Sequence, residues 1–250
     1  MPIKYLQGLT APERTQQSNL HLGVSLAFVA GAINAGGFLA VGQYTSHMTG
    51  VVSGMADHLA LGQLDLVIAG LEALVAFLLG AASSAILINW ARRRGGRSEY
   101  ALPLMIEAGL LLVFGLMGER LSLSMTLEVS LTIALLCFVM GLQNAMVTKV
   151  SNAEIRTTHV TGLVTDIGIE LGKLAYWNGS TPHPALGKVQ VNARKLRILL
   201  ALTGSFMVGS VVGALGFKHV GYVSTVPLAL VLALLASVQF VPQQRRKLTE

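Results

Sequence analysis

Cysteine, charge and aromatic rings are all scarce in this chain, and each scarcity removes a class of function. Of 250 residues one is a cysteine. It is Cys137, set inside an apolar run, so neither a disulfide framework nor a cysteine metal site can be built. Charged residues make up 12% and aromatic residues 6%. The net charge of +6 is carried by basic residues confined to a few connections, and no basic face with interleaved aromatics occurs. Nucleic acid is therefore not an expected partner. There is no Gly-rich phosphate loop, nucleophile elbow, H-E-x-x-H or catalytic dyad of recognisable spacing, so no enzymatic activity, cofactor or metal is expected. The opening stretch MPIKYLQGLTAPERTQQSNL lacks the short apolar core and small-residue cleavage site of a signal peptide. The first spanning helix is expected to direct insertion itself.

What the chain has in abundance is uninterrupted apolar sequence. Hydrophobic residues reach 53%, with a mean hydropathy of +0.64. Several runs exceed the roughly 20 helical residues that cross a hydrocarbon core of about 30 Å. They are apolar all round, without the helical or alternating period of a soluble domain. The expected fold is an all-α integral membrane protein with six transmembrane helices: 20–41, 65–90, 101–117, 127–147, 198–217 and 221–240. Arg92, Arg93, Arg94 and Arg97 follow the second span, Lys149 through Arg197 the fourth, and Arg245, Arg246 and Lys247 the sixth. The connections after spans three and five hold only Arg120 and Lys218. By the positive-inside rule this predicts a multi-pass inner-membrane protein with both termini cytoplasmic. Residues 1–19 and 242–250 are then cytoplasmic tails, and 20–126 and 127–241 are two units of three spans.

The two units share a pattern. The string Thr45-Ser46-His47-Met48-Thr49-Gly50 returns as Thr157-Thr158-His159-Val160-Thr161-Gly162. Ahead of the first stands Phe28-Val29-Ala30-Gly31-Ala32-Ile33-Asn34-Ala35, and ahead of the second Phe138-Val139-Met140-Gly141-Leu142-Gln143-Asn144-Ala145. Phe77-Leu78-Leu79-Gly80 likewise matches Phe206-Met207-Val208-Gly209, and Pro103-Leu104 matches Pro227-Leu228. Three is odd, so the second unit must enter the membrane from the opposite side. The chain reads as two inverted-topology three-helix repeats, against the plainer alternative that apolar helices resemble one another by composition. The segments 48–61 and 160–174 are too short to span yet apolar, and each reads as a half-helix or re-entrant segment opened by a threonine able to cap it. The N-terminus of such a half-helix presents a partial positive charge and free donors to an anionic group.

These patterns nominate the site residues. Asn34 and Asn144 stand one turn after Gly31 and Gly141, so their amides either bond across a close helix contact or line a solute site, and Gln143 favours the second use. His47 and His159 can carry protons near neutral pH or simply bond carbonyls at the interface. Thr49 and Thr161 supply hydroxyls or caps, and Gly50 and Gly162 allow close backbone approach. Glu72 and Glu107 are acids within apolar spans, candidates for ion or proton coupling because charge at membrane depth is expensive. Gly36-Gly37 is a potential break or kink in span one. Small-residue faces at 80–85 and 209–214 suit helix packing within one chain or between two copies as a homodimer.

GAINAGGFLAVGQYTSHMTG and CFVMGLQNAMVTKVSNAEIRTTHVTG resemble the two signature regions of the YoaK-like family of bacterial six-span membrane proteins, and the resemblance extends over nearly the whole chain. It implies a six-span bacterial membrane protein and brings no established activity with it. The chain departs from the family's pattern at Asn34, where an acid commonly stands, and at Val51, where an Asn often follows the Thr-Gly. Both departures weaken a proton-coupling role for the first string. The leading expectation is a secondary transporter of a small polar or anionic solute, with its site between the two repeats. A channel, or a structural or regulatory membrane protein that moves nothing, are the alternatives.

Overall fold

The computed structural model describes residues 16–94, 99–121, 126–150, 160–179 and 188–237. They form eight α-helices and one 3-10 turn, with no strand among the described residues. In chain order these are α1 (Gln16–Val41), α2 (Met48–Ala60), α3 (Leu64–Arg93), α4 (Ala101–Leu121), α5 (Thr126–Val150), α6 (Val160–Ala175) and α7 (Ala193–His219). The turn Gly221–Ser224 then leads into α8 (Thr225–Ser237).

Five helices, α1, α3, α4, α5 and α7, are long and apolar enough to cross a membrane. The sixth expected span appears as the shorter apolar segment Gly221–Ser237, and residues 238–240 of that expectation lie outside the described residues. Both short apolar segments are helical, as α2 and α6. Residues 1–15 of the expected N-terminal tail, the C-terminal tail 242–250 with its basic cluster 245–247, and the His159 position also fall outside the described residues, while residues 16–19 of the expected N-terminal tail are the first turn of α1.

Local chemistry sets the helix ends. Asn192 caps α7 by accepting the Lys195 N–H at 2.9 Å. α1 and α2 terminate at Gly42 and Gly62, each with φ of 72°, a left-handed conformation that glycine adopts without the penalty of a Cβ. The expected break at Gly36-Gly37 is absent: α1 runs through it without interruption. Gly36 lies against the Phe217 ring and Gly37 faces Leu136, so these glycines serve packing and their backbone bonds stay within the helix.

Two crossings organise the bundle, and both carry the same residues. α1 packs on α7, where a Cβ on Gly31 would collide with the Phe206 carbonyl and one on Gly209 with the Phe28 carbonyl. α3 packs on α5, where a Cβ on Gly141 would collide with the Phe77 carbonyl and one on Gly80 with the Phe138 carbonyl. Each crossing therefore sets one Phe-x-x-Gly against another, with backbones in direct contact, the mode by which small residues hold helices together in lipid. The small-residue faces at 80–85 and 209–214 are thus used inside the chain: Gly80, Ser84, Gly209 and Gly213 are all buried. α1 and α7 run in the same direction, since Ser205 donates to the Val24 carbonyl at 2.7 Å with an offset of 181 residues, and Gly209 against Phe28 and Gly213 against Ala32 keep that offset.

α4 pairs with α8. Phe114, Phe217 and Tyr222 form an aromatic cluster with ring centroids 5.6 to 5.9 Å apart, and Gly118 lies beneath the Tyr222 ring. α2 packs against α3 and α6 against α7, at the periphery.

Candidate functional site

The helix crossings leave a cavity of about 650 Å³ between them. Its wall contains Asn34 of α1, Tyr44, Ser46 and His47 of the connection, Met48 and Thr49 of α2, and Phe77 of α3. From the other half of the chain come Asn144 of α5, Val160, Thr161 and Gly162 of α6, and Phe206 of α7. Residues that are more than a hundred positions apart in the sequence thus meet in one space.

Asn34 is nearly buried, and its Oδ1 accepts both the backbone N–H of Ser46 at 3.2 Å and the Ser46 hydroxyl at 2.9 Å. This pair ties the loop after α1 back onto the helix and sets where α2 begins. Asn144 uses its Nδ2 differently, donating to the Met140 carbonyl of its own helix at 3.0 Å. The matched positions both face the cavity. The His47 ring stands directly over Gly50, which has no side chain to obstruct it. Gly50 itself lines a neighbouring hollow of about 370 Å³ between α2 and α3.

Other expectations are redirected. Neither Thr49 nor the second string's Thr161 caps a helix: both lie inside the first turn of theirs. The N-cap of α2 is His47, whose side chain makes no capping bond. His159 lies outside the described residues. Gln143 is fully buried and donates from Nε2 to the Leu26 carbonyl at 3.3 Å. It joins α5 to α1 and takes no part in the cavity wall. Glu72 is exposed on α3, away from the cavity. Glu107 is fully buried on the stripe of α4 formed by Leu104, Ala108, Leu111 and Phe114, and neither carboxyl oxygen has a partner among the described residues.

Six wall residues were not nominated from the sequence: Tyr44, Ser46, Met48, Phe77, Val160 and Phe206. Phe77 and Phe206 had a signal, because they open the two matched Phe-x-x-Gly strings. Their role at the cavity follows from the crossings alone, which put the glycines into the contact and leave the rings beside it.

α6 is held at its far end by a polar cluster. The Glu170 carboxylate accepts from the Lys173 ammonium at 2.8 Å and from the backbone N–H of Asn192 at 2.8 Å, while Lys195 pairs with Asp166 at 3.3 Å. The Lys173 hydrogen bond, followed by the Asn192 N–H and the charges of Lys173 and Lys195, holds the Glu170 carboxyl below its ordinary range despite burial. A lowered carboxyl contributes stability that is complete above the ordinary pKa of about 4.3 and disappears as pH falls through the lowered value. Thermal unfolding in detergent is expected to show this acid loss for the wild type. Glu170→Gln is expected to be less stable at neutral pH and to lack that part of the profile; superimposable profiles would remove the latch.

Residues 22–238, nearly the whole described bundle with both strings and the cavity wall, match the model of a family described as protein of unknown function, DUF1275. The chain belongs to that family. Its membership agrees with the YoaK-like resemblance of the two strings. Among curated proteins and among solved structures, nothing matches the chain. For this DUF1275 member, the reading of function therefore rests on the cavity.

Proposed function

We propose that this protein is a small secondary transporter of a polar or anionic solute, with the cavity as its solute site between two inverted three-span units. The observation that carries this is the convergence of Asn34, His47 and Thr49 from one half with Asn144, Thr161 and Gly162 from the other. Inversion is supported by the two Phe-x-x-Gly crossings, in which matched residues of each half make matched contacts. It is also supported by the parallel course of α1 and α7, which requires an even number of crossings after α1 up to and including α7, as α3, α4, α5 and α7 supply. The basic residues at the end of α3, the end of α5 and the start of α7 favour an inner-membrane protein with these ends and both termini in the cytoplasm. A site at the contact of two repeats, beside the starts of short helices, is the arrangement by which many transporters expose one site to alternate sides.

Single cysteines test this without knowledge of the solute. In a Cys137→Ser background, Thr49→Cys and Thr161→Cys are labelled with membrane-impermeant thiol reagents from each face of oriented vesicles. A transporter is expected to label at both positions from both sides, with the two accessibilities mutually exclusive when the protein is locked by cross-linking. Simultaneous access from both sides identifies a channel. Access to each position from its own side only, or to neither, leaves a membrane protein whose strings are packing devices.

A further inference from the structure

The polar lining of the cavity is unbalanced. Among the described residues no Asp or Glu contributes to it, and its best-placed side chain is a donor. Ser46 settles the orientation of the Asn34 amide, because a backbone N–H can only donate and the atom facing it must be the oxygen. Nδ2 is thereby turned away from Ser46 and has no partner among the described residues, on a side chain only 9% exposed at the cavity wall. Its N–H groups are left open to the cavity as donors for an acceptor bound there.

The backbone adds more donors. α2 and α6, of 13 and 16 residues, both begin at this wall. The first backbone bond of α2 is from the Val51 N–H to the His47 carbonyl at 3.1 Å, and no side chain caps the preceding turn. Its leading N–H groups are therefore open, and each helix start carries roughly half a positive charge. Against these donors stand apolar surfaces, chiefly the rings of Phe77 and Phe206.

We propose that the cavity binds a small organic carboxylate. Its head accepts from the Asn34 amide and the starts of α2 and α6, and its apolar body lies against Phe77 and Phe206. A bare inorganic ion uses little of this volume, since a water's share of liquid is about 30 Å³. A neutral polar solute leaves the helix charges without a counterpart. This deepens the transporter reading and rests on it.

The sign of the potential can be measured before any substrate is known. Purified Cys137→Ser, Thr161→Cys protein in nanodiscs is reacted with an anionic sulfonate methanethiosulfonate and with a cationic trimethylammonium one, each rate normalised to a free thiol. The anionic reagent is expected to react about tenfold faster. Asn34→Asp keeps an acceptor for Ser46 and replaces the amide donor with a charged oxygen, and it is expected to erase that preference. Thr49→Cys, with Asn34 intact, gives the same reading should the Asp variant fold poorly. Acetate, benzoate and octanoate are then tried as protectants beside benzamide and chloride, with protection expected from at least one carboxylate and not from benzamide.

Equal rates, or a faster cationic reagent, would overturn the proposal. So would equal protection by benzamide, which marks a neutral solute, by chloride, which marks an inorganic ion, or by none of the carboxylates. The same labelling in oriented vesicles separates the two readings. An anionic preference confined to one face keeps the carboxylate site and removes the transport pathway, whereas access from both faces without preference keeps the pathway and removes the carboxylate.

Discussion

Gly141→Leu is expected to abolish the folded protein. Gly141 sits on α5 where the backbone of α3 passes, and even a single added carbon would collide with the Phe77 carbonyl. A backbone carbonyl cannot rotate aside as a flexible side chain can, so the helices must separate. Overpacking in a soluble core typically costs about 1–3 kcal/mol, and more where the neighbour is rigid. The penalty is felt more in lipid, because helix association there depends on close van der Waals fit and lacks a hydrophobic drive. The readout is the fraction of detergent-extracted protein that elutes as a single species, together with its unfolding midpoint. Gly31→Leu, at the matched position on α1 against Phe206, is expected to fail equally. Gly109→Leu, on α4 where a Cβ would meet nothing within 4 Å, is expected to behave as wild type. Equal behaviour of Gly141→Leu and Gly109→Leu would mean that the crossing is not built on backbone contact.

The second large effect has the opposite sign. Glu107→Leu is expected to stabilise the protein, because the wild type buries two carboxyl oxygens with no partner among the described residues. A buried polar group left without its hydrogen bond costs about 1–3 kcal/mol, and an apolar replacement of similar shape recovers that cost. The surrounding stripe of Leu104, Ala108 and Leu111 is apolar and suits the substitution. On α5, Gln143 Oε1 is likewise buried without a partner among the described residues. Thermal unfolding checks the stability and vesicle flux checks the role. A stabilised protein that no longer moves solute identifies an acid retained for coupling. One that is both stabilised and fully active removes Glu107 from the coupling scheme, and a destabilised one means that the carboxyl has a partner after all.

Much of the architecture was legible because lipid imposes simple rules. A helix must satisfy its own backbone and run about 20 apolar residues to cross. The expected starts and ends of five spans accordingly lie within a few residues of α1, α3, α4, α5 and α7. The short segments after the two strings were legible for the same reason: they are apolar but too brief to cross, and they became α2 and α6. α7 begins five residues earlier than expected, because Asn192 caps a polar first turn that hydropathy alone does not register. The repeated strings also marked where the cavity wall lies, since His47, Met48 and Thr49 of the first and Val160, Thr161 and Gly162 of the second line it together.

Tertiary structure decided which of those polar residues share a space. Gln143 and Asn144 are adjacent, yet a helix turns about 100° per residue, so one is committed to the Leu26 carbonyl and the other reaches the cavity wall. Gly36-Gly37 reads as a break in one dimension and proves in three to be a packing surface, Gly36 for Phe217 and Gly37 for Leu136. Phe77 and Phe206 became wall residues only when their glycines drew the helices together. The amino-acid sequence by itself determined the membrane class, the spans and the doubled pattern, because these follow from hydropathy and chain order. The choice between packing and lining for each polar side chain belonged to the tertiary structure, because it depends on which helix face meets which neighbour.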